Sequence, residues 1–267
     1  MDKTVALKDE QLCPYFSVNE LFEQLFKDAS ILDEGGPSIH PKASPRKPFK
    51  EVFKDAMMHF NHLIKPRDQK SLKRSNLLFF MARGAAALGT NCQPGFDAVY
   101  PYLYGGTDLD IDKVGFIIVQ VKNDSTSYSD PSLDELFSKM DPFTCKLIDN
   151  IDKEDGRFPI PIIRIVFLLS GNNSFFKQHT PRNRRKPLFT SYDYVCAGID
   201  PGILRPIQDS SYASWTRLVN ERDSEDSCNE EERAVLRSQF PGGGSSNEYY
   251  TTWLKEDSLF NRYAKAK

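Results

Sequence analysis

The sequence lacks the features that would assign it to a disulfide-bonded, zinc-binding or membrane class. Its five cysteines include no Cys-x-x-Cys pair and no regular spacing, which argues against a zinc knuckle and a disulfide scaffold. We therefore expect a reduced, intracellular protein, either nuclear or cytoplasmic. The longest apolar stretch, 160–169, is interrupted by Pro161 and Arg164, so neither a signal peptide nor a membrane span is expected.

The sequence also lacks an excess of charge of one sign. Its 35 lysine and arginine residues face 37 aspartate and glutamate residues, which gives a formal net charge of -2. No global electrostatic attraction to nucleic acid is indicated, so any polyanion binding must come from local patches. The length of 267 residues and the hydrophobic content of 39% suffice for one large domain with a buried core.

Motifs of several other enzyme classes are missing. No Gly-x-Ser-x-Gly elbow occurs, and neither Cys92 nor Cys196 has a positioned histidine. The glycine runs at Gly35 and Gly242 lack the Lys-Ser/Thr pair of a P-loop. Serine or cysteine nucleophiles and P-loop phosphate binding are therefore disfavoured.

Two metal-site candidates are weak. The segment 108–112 is rich in aspartate, but Lys113 and Val119 stand where an EF-hand loop needs glycine and glutamate, so a solvated hairpin turn is favoured. His59 and His62 are one helical turn apart if they lie on a helix and could then share a metal. No third ligand lies nearby in the sequence, so surface or core histidines are favoured.

Helical and strand-like periodicities alternate along the chain. The segment 114–121 is almost continuously apolar, as a central strand covered on both faces would be. Two predicted helices open with a capping box: 17–29, and 132–148, which is interrupted at Pro142. The other predicted helices are 49–64, 68–81, which Gly84 ends, 210–219 and an aromatic-rich tail helix over 247–267. The predicted strands are 85–90, 96–104, 114–121, 162–169 and 188–199.

This order predicts an α/β fold with an α-β-β-β-α-β core, a mixed central sheet and added N- and C-terminal helices. Three parts are expected along the chain. Residues 1–47 hold the N-terminal helix and an irregular, proline-containing connection, and residues 48–207 form the core. Residues 208–267 form a helical and acidic extension with a Gly-Ser linker at 242–246.

Polar residues at the ends of two predicted strands form the main candidate site. Asp97 begins the second of the three consecutive strands, and Gln120 and Lys122 end the third. Gln120 and Lys122 share one face because side chains alternate along a strand. A hairpin pairing would place a carboxylate, an amide oxygen and an ammonium group together. Oxygen ligands of this kind suit a hard divalent cation, which can drive phosphodiester hydrolysis.

The segments Pro-Gly-Phe-Asp97 and Gln120-Val-Lys122 resemble the signature of the PD-(D/E)XK nuclease superfamily. Glutamine in place of the second acid resembles the motif of the Mrr-type branch. The segments 93–97 and 118–123 also resemble fungal domains related to Crinkler-type effectors and mobile-element toxins. The resemblance covers roughly residues 68–199. It implies a restriction-endonuclease-like fold and a metal-dependent endonuclease that hydrolyses DNA, with a toxin or effector role as one setting.

Carried over residue by residue, the resemblance implies that Asp97 and Gln120 bind Mg²⁺ (or Mn²⁺). The backbone carbonyl of Val121 would be a further ligand, and Lys122 would orient or activate the attacking water. The sequence departs from the family in having no clear match for an acid on the preceding helix, although Glu51, Asp55 and Asp68 are nearby. Modest metal affinity is expected. A catalytically inactive nuclease-fold domain that binds nucleic acid or a protein partner therefore stays open, as does a purely structural globular domain.

Two basic clusters are candidates for contacts with phosphate groups. DNA is the expected partner, RNA is not excluded, no membrane association is expected, and a homodimer or a partner protein stays open. The first cluster, which follows His179, contains Arg182, Arg184, Arg185 and Lys186, and the second, at the start of the helix leading into the site, includes Lys73 and Arg74. A solvated loop and a nuclear-localisation patch are the alternative interpretations of the first cluster.

Overall fold

The computed structural model describes residues 15–41, 46–66, 69–90, 95–123, 128–148, 157–170, 173–182 and 188–220. The chain divides into two compact units, Met1–Val219 and Asn220–Lys267, and every described residue except Asn220 belongs to the first. The predicted acidic stretch, Gly-Ser linker and C-terminal tail helix lie outside the described residues. The predicted boundaries at residues 47 and 207 stay a prediction.

The described residues form a mixed α/β structure. The helices are α1 (Val18–Leu25), α2 (Ile31–Glu34), α3 (Phe49–Val52), α4 (Arg74–Ala82), α5 (Asp130–Lys139) and α6 (Asp209–Asn220). The strands are β1 (Phe16–Ser17), β2 (Met57–Met58), β3 (His62–Ile64), β4 (Ala85–Leu88), β5 (Ala98–Leu103), β6 (Val114–Lys122), β7 (Ile162–Leu168), β8 (Phe175–Gln178) and β9 (Ser191–Ala197). None of the helices in the described ranges is long and apolar enough to cross a bilayer.

The strands form one sheet in the order β1-β2-β5-β6-β7-β9-β8, and β4 pairs with both β3 and β5. Strand β5 is antiparallel to β6, whereas β6, β7 and β9 are parallel to one another. The ends of these three parallel strands therefore lie at the same edge as the beginning of β5. We call this edge the carboxyl edge.

Helices cover both faces of the sheet. On one face, Phe22 of α1 and Phe49 of α3 contact Tyr194 of β9, with ring centroids 6.1 and 5.8 Å from that of Tyr194. On the other face, Phe137 of α5 lies against Arg164 of β7, whose guanidinium carbon is 5.2 Å from the ring centroid. Arg164 and Tyr194 point to opposite faces, because Arg164 is the register partner of Asp193, the residue before Tyr194, and side chains alternate along a strand.

Several predicted elements are confirmed. The Ser17–Glu20 capping box opens α1, with Ser17 and Glu20 each accepting the other's backbone N–H. Gly84 ends α4 at a φ of +68°, a left-handed conformation that glycine adopts readily. All five predicted strands are present with shifted ends.

The predicted helix over 49–64 is wrong. Helix α3 ends at Val52, and β2 and β3 follow it. The backbone carbonyl of Asp55 accepts from Gly105 and Gly106, and that of Ala56 accepts from Val18. Because distant segments use these carbonyls, they are not available to continue a helix. The apolar residues whose spacing indicated a helix belong instead to a turn and to the two short strands β2 and β3.

The predicted capping box at Ser132 and the helix over 142–148 are also wrong. Helix α5 begins at Asp130, behind Ser129, and it ends at Lys139. The segment after it forms turns, since Asp141 Oδ1 accepts the backbone N–H groups of Phe143 and Thr144. Strand β8 was not predicted because it is short and partly polar.

An ion pair is buried in the centre of the sheet. Arg164 of β7 and Asp193 of β9 are register partners, and their side chains are 2% and 0% exposed. The guanidinium donates to both carboxylate oxygens, at 2.8 and 2.5 Å, and to the carbonyl of Phe137 at 2.6 Å. Its charge is therefore satisfied by the neighbouring strand β9 and by α5, the helix that covers the two strands.

We predict that Asp193→Ala lowers the free energy of unfolding by about 3–5 kcal/mol, because it leaves a buried guanidinium without its counter-ion. Urea denaturation followed by circular dichroism measures the change. The matched control is Asp130→Ala, which removes an exposed ion pair with Arg182 and should cost about 1 kcal/mol or less. Equal losses in the two variants would contradict the prediction.

Candidate functional site

Asp97 lies at the carboxyl edge, immediately before β5. Its backbone N–H donates to the carbonyl of Val119 at 2.8 Å, and its own carbonyl accepts from Gly89 at 2.7 Å. The exposed carboxylate accepts the backbone N–H of Val121 through Oδ2 at 2.6 Å. The side chain therefore extends the hydrogen-bond ladder between β5 and β6 by one bond.

The turn before Asp97 passes close to the end of α5. Gly95 has a φ of +98°, and a Cβ there would lie 2.2 Å from the carbonyl oxygen of Lys139 and 2.7 Å from Cys145 Sγ. Only glycine fits this approach without displacing the backbone. Phe96, the next residue, is buried. These contacts fix the position from which Asp97 reaches the sheet.

The paired register of β5 and β6 ends at Ala98 and Val119. Asp97 follows it with bonds to the main chains of Val119 and Val121, the two neighbours of Gln120 in β6. Gln120 is 7% exposed, and its Oε1 is buried with no hydrogen-bond partner among the described residues. A buried acceptor without a donor is costly and is characteristic of a group kept for a ligand or a water molecule.

Lys122 points to the same face of β6 as Gln120 and is half-buried at the end of the strand. Its backbone carbonyl accepts from Leu169, the residue that follows β7. The main-chain groups of Val121 consequently point the other way, toward Asp97. The predicted trio and the Val121 carbonyl thus lie on adjacent positions of one ladder.

The residues present offer oxygen ligands but only one negative charge. Asp97 Oδ1, the Gln120 amide oxygen and the Val121 carbonyl are hard donors of the type that Mg²⁺ prefers. No group of three histidine, cysteine, aspartate or glutamate side chains able to hold a metal occurs in the described part of the chain. The donor set fits a cation that keeps most of its water ligands.

Of the other candidate acids, Glu51 and Asp55 do not reach this site. Glu51 pairs with Lys47 at 2.5 Å, and the backbone carbonyl of Asp55 bonds to the glycines after Leu103. These glycines follow the far end of β5, roughly 20 Å from Asp97 at the usual rise per strand residue. Asp68 lies outside the described residues.

The basic cluster at the start of α4 is not brought to the trio. Arg74 donates to the carbonyl of Ile111 and lies 5.0 Å above the ring of Phe158. Ile111 precedes β6, whose nine residues place Arg74 roughly 26 Å from Lys122. Burial lowers the pKa of Arg74. Lys73 is the residue just before α4 and lies in the same region.

Only the first residue of the other cluster is described. Arg182 pairs with Asp130 at the start of α5, at 2.5 Å. His179, which precedes the run, is buried, and its Nε2 lies 2.7 Å from Asp134 Oδ1. Arg184, Arg185 and Lys186 lie outside the described residues, so their phosphate contacts stay a prediction.

The histidine pair, the aspartate-rich segment and Cys196 do not form further sites in the described residues. His59 lies in a connection and His62 in β3, so they are not one helical turn apart and the geometry of a shared metal is lost. The segment 108–112 is exposed between β5 and β6, as expected of a solvated turn. Burial raises the pKa of Cys196 to about 12, which keeps this thiol protonated and unsuited to nucleophilic attack. Cys92 lies outside the described residues.

Comparison of the chain with protein-family models, curated proteins and solved structures finds no match. The resemblance to the PD-(D/E)XK superfamily therefore stays a prediction. Functional interpretation rests on the chemistry of the carboxyl edge.

We predict that Gln120→Met leaves the free energy of unfolding unchanged or raises it by about 1 kcal/mol, because the substitution removes a buried acceptor that has no donor. Urea denaturation again provides the measurement. In the control Gln178→Met the lost amide donates to Gly36 O at 2.6 Å and to Ser38 Oγ at 3.2 Å, so stability should fall. A large loss of unfolding free energy in Gln120→Met would contradict the prediction and show that the Gln120 amide stabilises the fold.

Proposed function

We propose that this chain is a metal-dependent nuclease that hydrolyses DNA phosphodiester bonds at Asp97, Gln120 and Lys122. One observation carries the proposal: the Asp97 carboxylate is bonded to the main chain of Val121, between Gln120 and Lys122. This contact joins the two halves of the predicted motif. Asp97 and Val121 are 24 positions apart in the sequence, so strand pairing rather than local sequence assembles the motif.

The element order supports a restriction-endonuclease-like fold for the proposed nuclease. Helix α4, strands β4, β5 and β6, helix α5 and strand β7 follow one another in the order α-β-β-β-α-β. The sheet that they form is mixed, as the resemblance implies. Strands β1, β2, β3, β8 and β9 and the flanking helices would be additions to this core.

A divalent cation in this site would neutralise charge on the phosphate and make water more acidic. Asp97 would hold it through the oxygen that does not accept from Val121, and Gln120 through its unpartnered Oε1. The Val121 carbonyl completes the set of protein oxygens. Because both side chains are held by the fold, the donors need little rearrangement to bind.

Lys122 would place the attacking water. Its ammonium group can donate to a water molecule and to a phosphate oxygen, and it carries no acceptor. Half-burial at the end of β6 restricts the directions that the side chain can take. Lys122 thereby orients the attack and offsets negative charge that develops on the phosphate.

One observation favours a second candidate, a non-catalytic nuclease-fold domain that binds nucleic acid or a protein partner. Asp97 is the one carboxylate of the trio, and one of its oxygens is already occupied by a backbone N–H. A site with a single acid binds Mg²⁺ weakly. The experiments below separate the two candidates.

We expect plasmid and linear DNA to be cut with Mg²⁺ or Mn²⁺ and not with EDTA. Asp97→Ala and Lys122→Ala should each slow cleavage about 100-fold or more, since each removes a group that acts on the reacting atoms. Asp108→Ala and Lys113→Ala are the controls, because this exposed pair lies at the other end of β6 and should not matter. RNA of the same sequence tests the choice of substrate.

Three results would contradict or redirect this proposal. Cleavage that survives both Asp97→Ala and Lys122→Ala would remove the site. Salt-sensitive DNA binding without cleavage would favour the non-catalytic domain. The absence of both cleavage and binding would exclude both functions for DNA.

We also predict that Gln120→Glu tightens Mg²⁺ or Mn²⁺ binding several-fold, because a second carboxylate would replace a neutral ligand. The measurement is the shift of the thermal unfolding midpoint with metal concentration. The control is Gln178→Glu, which introduces the same charge away from the carboxyl edge. Equal shifts in the two variants would show that the added charge acts without the Asp97 site.

A further inference from the structure

A polar cleft lies on a different part of the molecule. It has a volume of about 420 Å³ and lies between the connection after α2 and the end of β8. Its lining includes Ser38, His40, Arg46, Gln178 and Thr180. The connection is bridged to Ser191, the first residue of β9, through Ile39, so the cleft lies toward the end of β9 opposite to the carboxyl edge.

Arg46 is the cation of this cleft, and its surroundings differ from those of its neighbours. Lys47 pairs with Glu51 at 2.5 Å, and Lys50 pairs with Asp33 at 3.0 Å. For Arg46, by contrast, no carboxylate within ion-pair distance is found among the described residues. Lys47 and Lys50 therefore have counter-ions in the protein, whereas Arg46, which faces the cleft, has none among the described residues.

His40 holds the guanidinium in place. Arg46 donates through Nε to His40 Nε2 at 3.0 Å, and His40 Nδ1 lies 3.1 Å from the carbonyl of Pro41. The ring must carry its proton on Nδ1 to make both contacts, which leaves Nε2 as the acceptor. The bond uses only the inner nitrogen of Arg46, so the two terminal nitrogens stay available as a planar pair of donors.

The cleft wall is preformed. The Gln178 amide donates to Gly36 O at 2.6 Å and to Ser38 Oγ at 3.2 Å. A Cβ at position 35 would lie 2.4 Å from Gln178 Oε1, so Gly35 permits this close approach. Thr180 adds an exposed hydroxyl on the same side. A wall fixed before binding reduces the entropy lost when a ligand enters.

We propose that this cleft binds a phosphate group, with the terminal nitrogens of Arg46 as the principal donors and His40 as a positioning residue. A guanidinium fork matches two oxygens of a tetrahedral oxyanion, and the Thr180 hydroxyl can donate to a third. The volume is larger than one phosphate and leaves room for an attached organic group. The phosphate can come from a small phosphate ester or from a polynucleotide backbone.

The test is calorimetric titration of the full chain, in chloride buffer, with inorganic phosphate, a nucleoside monophosphate and a short oligonucleotide. Arg46→Gln should weaken phosphate binding about 10-fold or more, since a charged bidentate contact is lost. Lys47→Gln is the matched control, because it removes the adjacent cation, which already has a partner, and it should change binding by less than about twofold. His40→Ala should weaken binding by a smaller factor than Arg46→Gln.

The three ligands distinguish the sources of the phosphate. Tighter binding of the monophosphate than of the oligonucleotide indicates a small ester, and the reverse indicates a polynucleotide. Equal binding by wild type and Arg46→Gln would overturn the proposal, as would absence of wild-type binding at about 10 mM phosphate. Binding that is lost in Arg182→Gln and kept in Arg46→Gln would also overturn it, by assigning the phosphate to the basic run. Unchanged unfolding midpoints without phosphate show that the variants are folded.

Discussion

The ion pair between Arg164 and Asp193 is the interaction on which the arrangement of the sheet depends. Two opposite charges in an apolar interior are tolerated only when each is fully hydrogen-bonded, so β7 and β9 have one acceptable register. The third donor bond of Arg164, to the carbonyl of Phe137, extends this requirement to α5. The end of α5 in turn packs against Gly95, two residues before Asp97. A constraint in the middle of the sheet thus extends to the edge where the candidate site lies.

The mixed strand directions explain why the candidate residues meet. If β5 ran parallel to β6, the residue before β5 would lie at the opposite edge from the end of β6. The antiparallel pairing brings Asp97 to the end of β6, at the same edge as the ends of the parallel strands β7 and β9. Polar residues at strand ends can therefore converge without disturbing the apolar centre of the sheet.

Local sequence was sufficient for part of this structure. Strand periodicity placed Gln120 and Lys122 on one face, and the apolar run of β6 indicated a central strand. The helical periodicity over 49–64 was misleading, because backbone carbonyls in this segment bond to distant parts of the chain. The carbonyl of Asp55 bonds to residues about 50 positions later, and that of Ala56 to a residue 38 positions earlier. The partnership of Arg164 with Asp193 was not predicted for the same reason. A charged residue within each apolar strand was the available signal, but the register that pairs them is non-local.

The bond between Asp97 and Val121 has a consequence for the thermodynamics of ligand binding. A carboxylate on a free side chain loses rotational freedom when a cation or a donor group binds to it. The Asp97 carboxylate has already lost much of that freedom, because folding fixes it against β6. The entropy of ordering this ligand is therefore part of the folding free energy rather than of the binding free energy. Even a donor set with a single charge would begin from an ordered state.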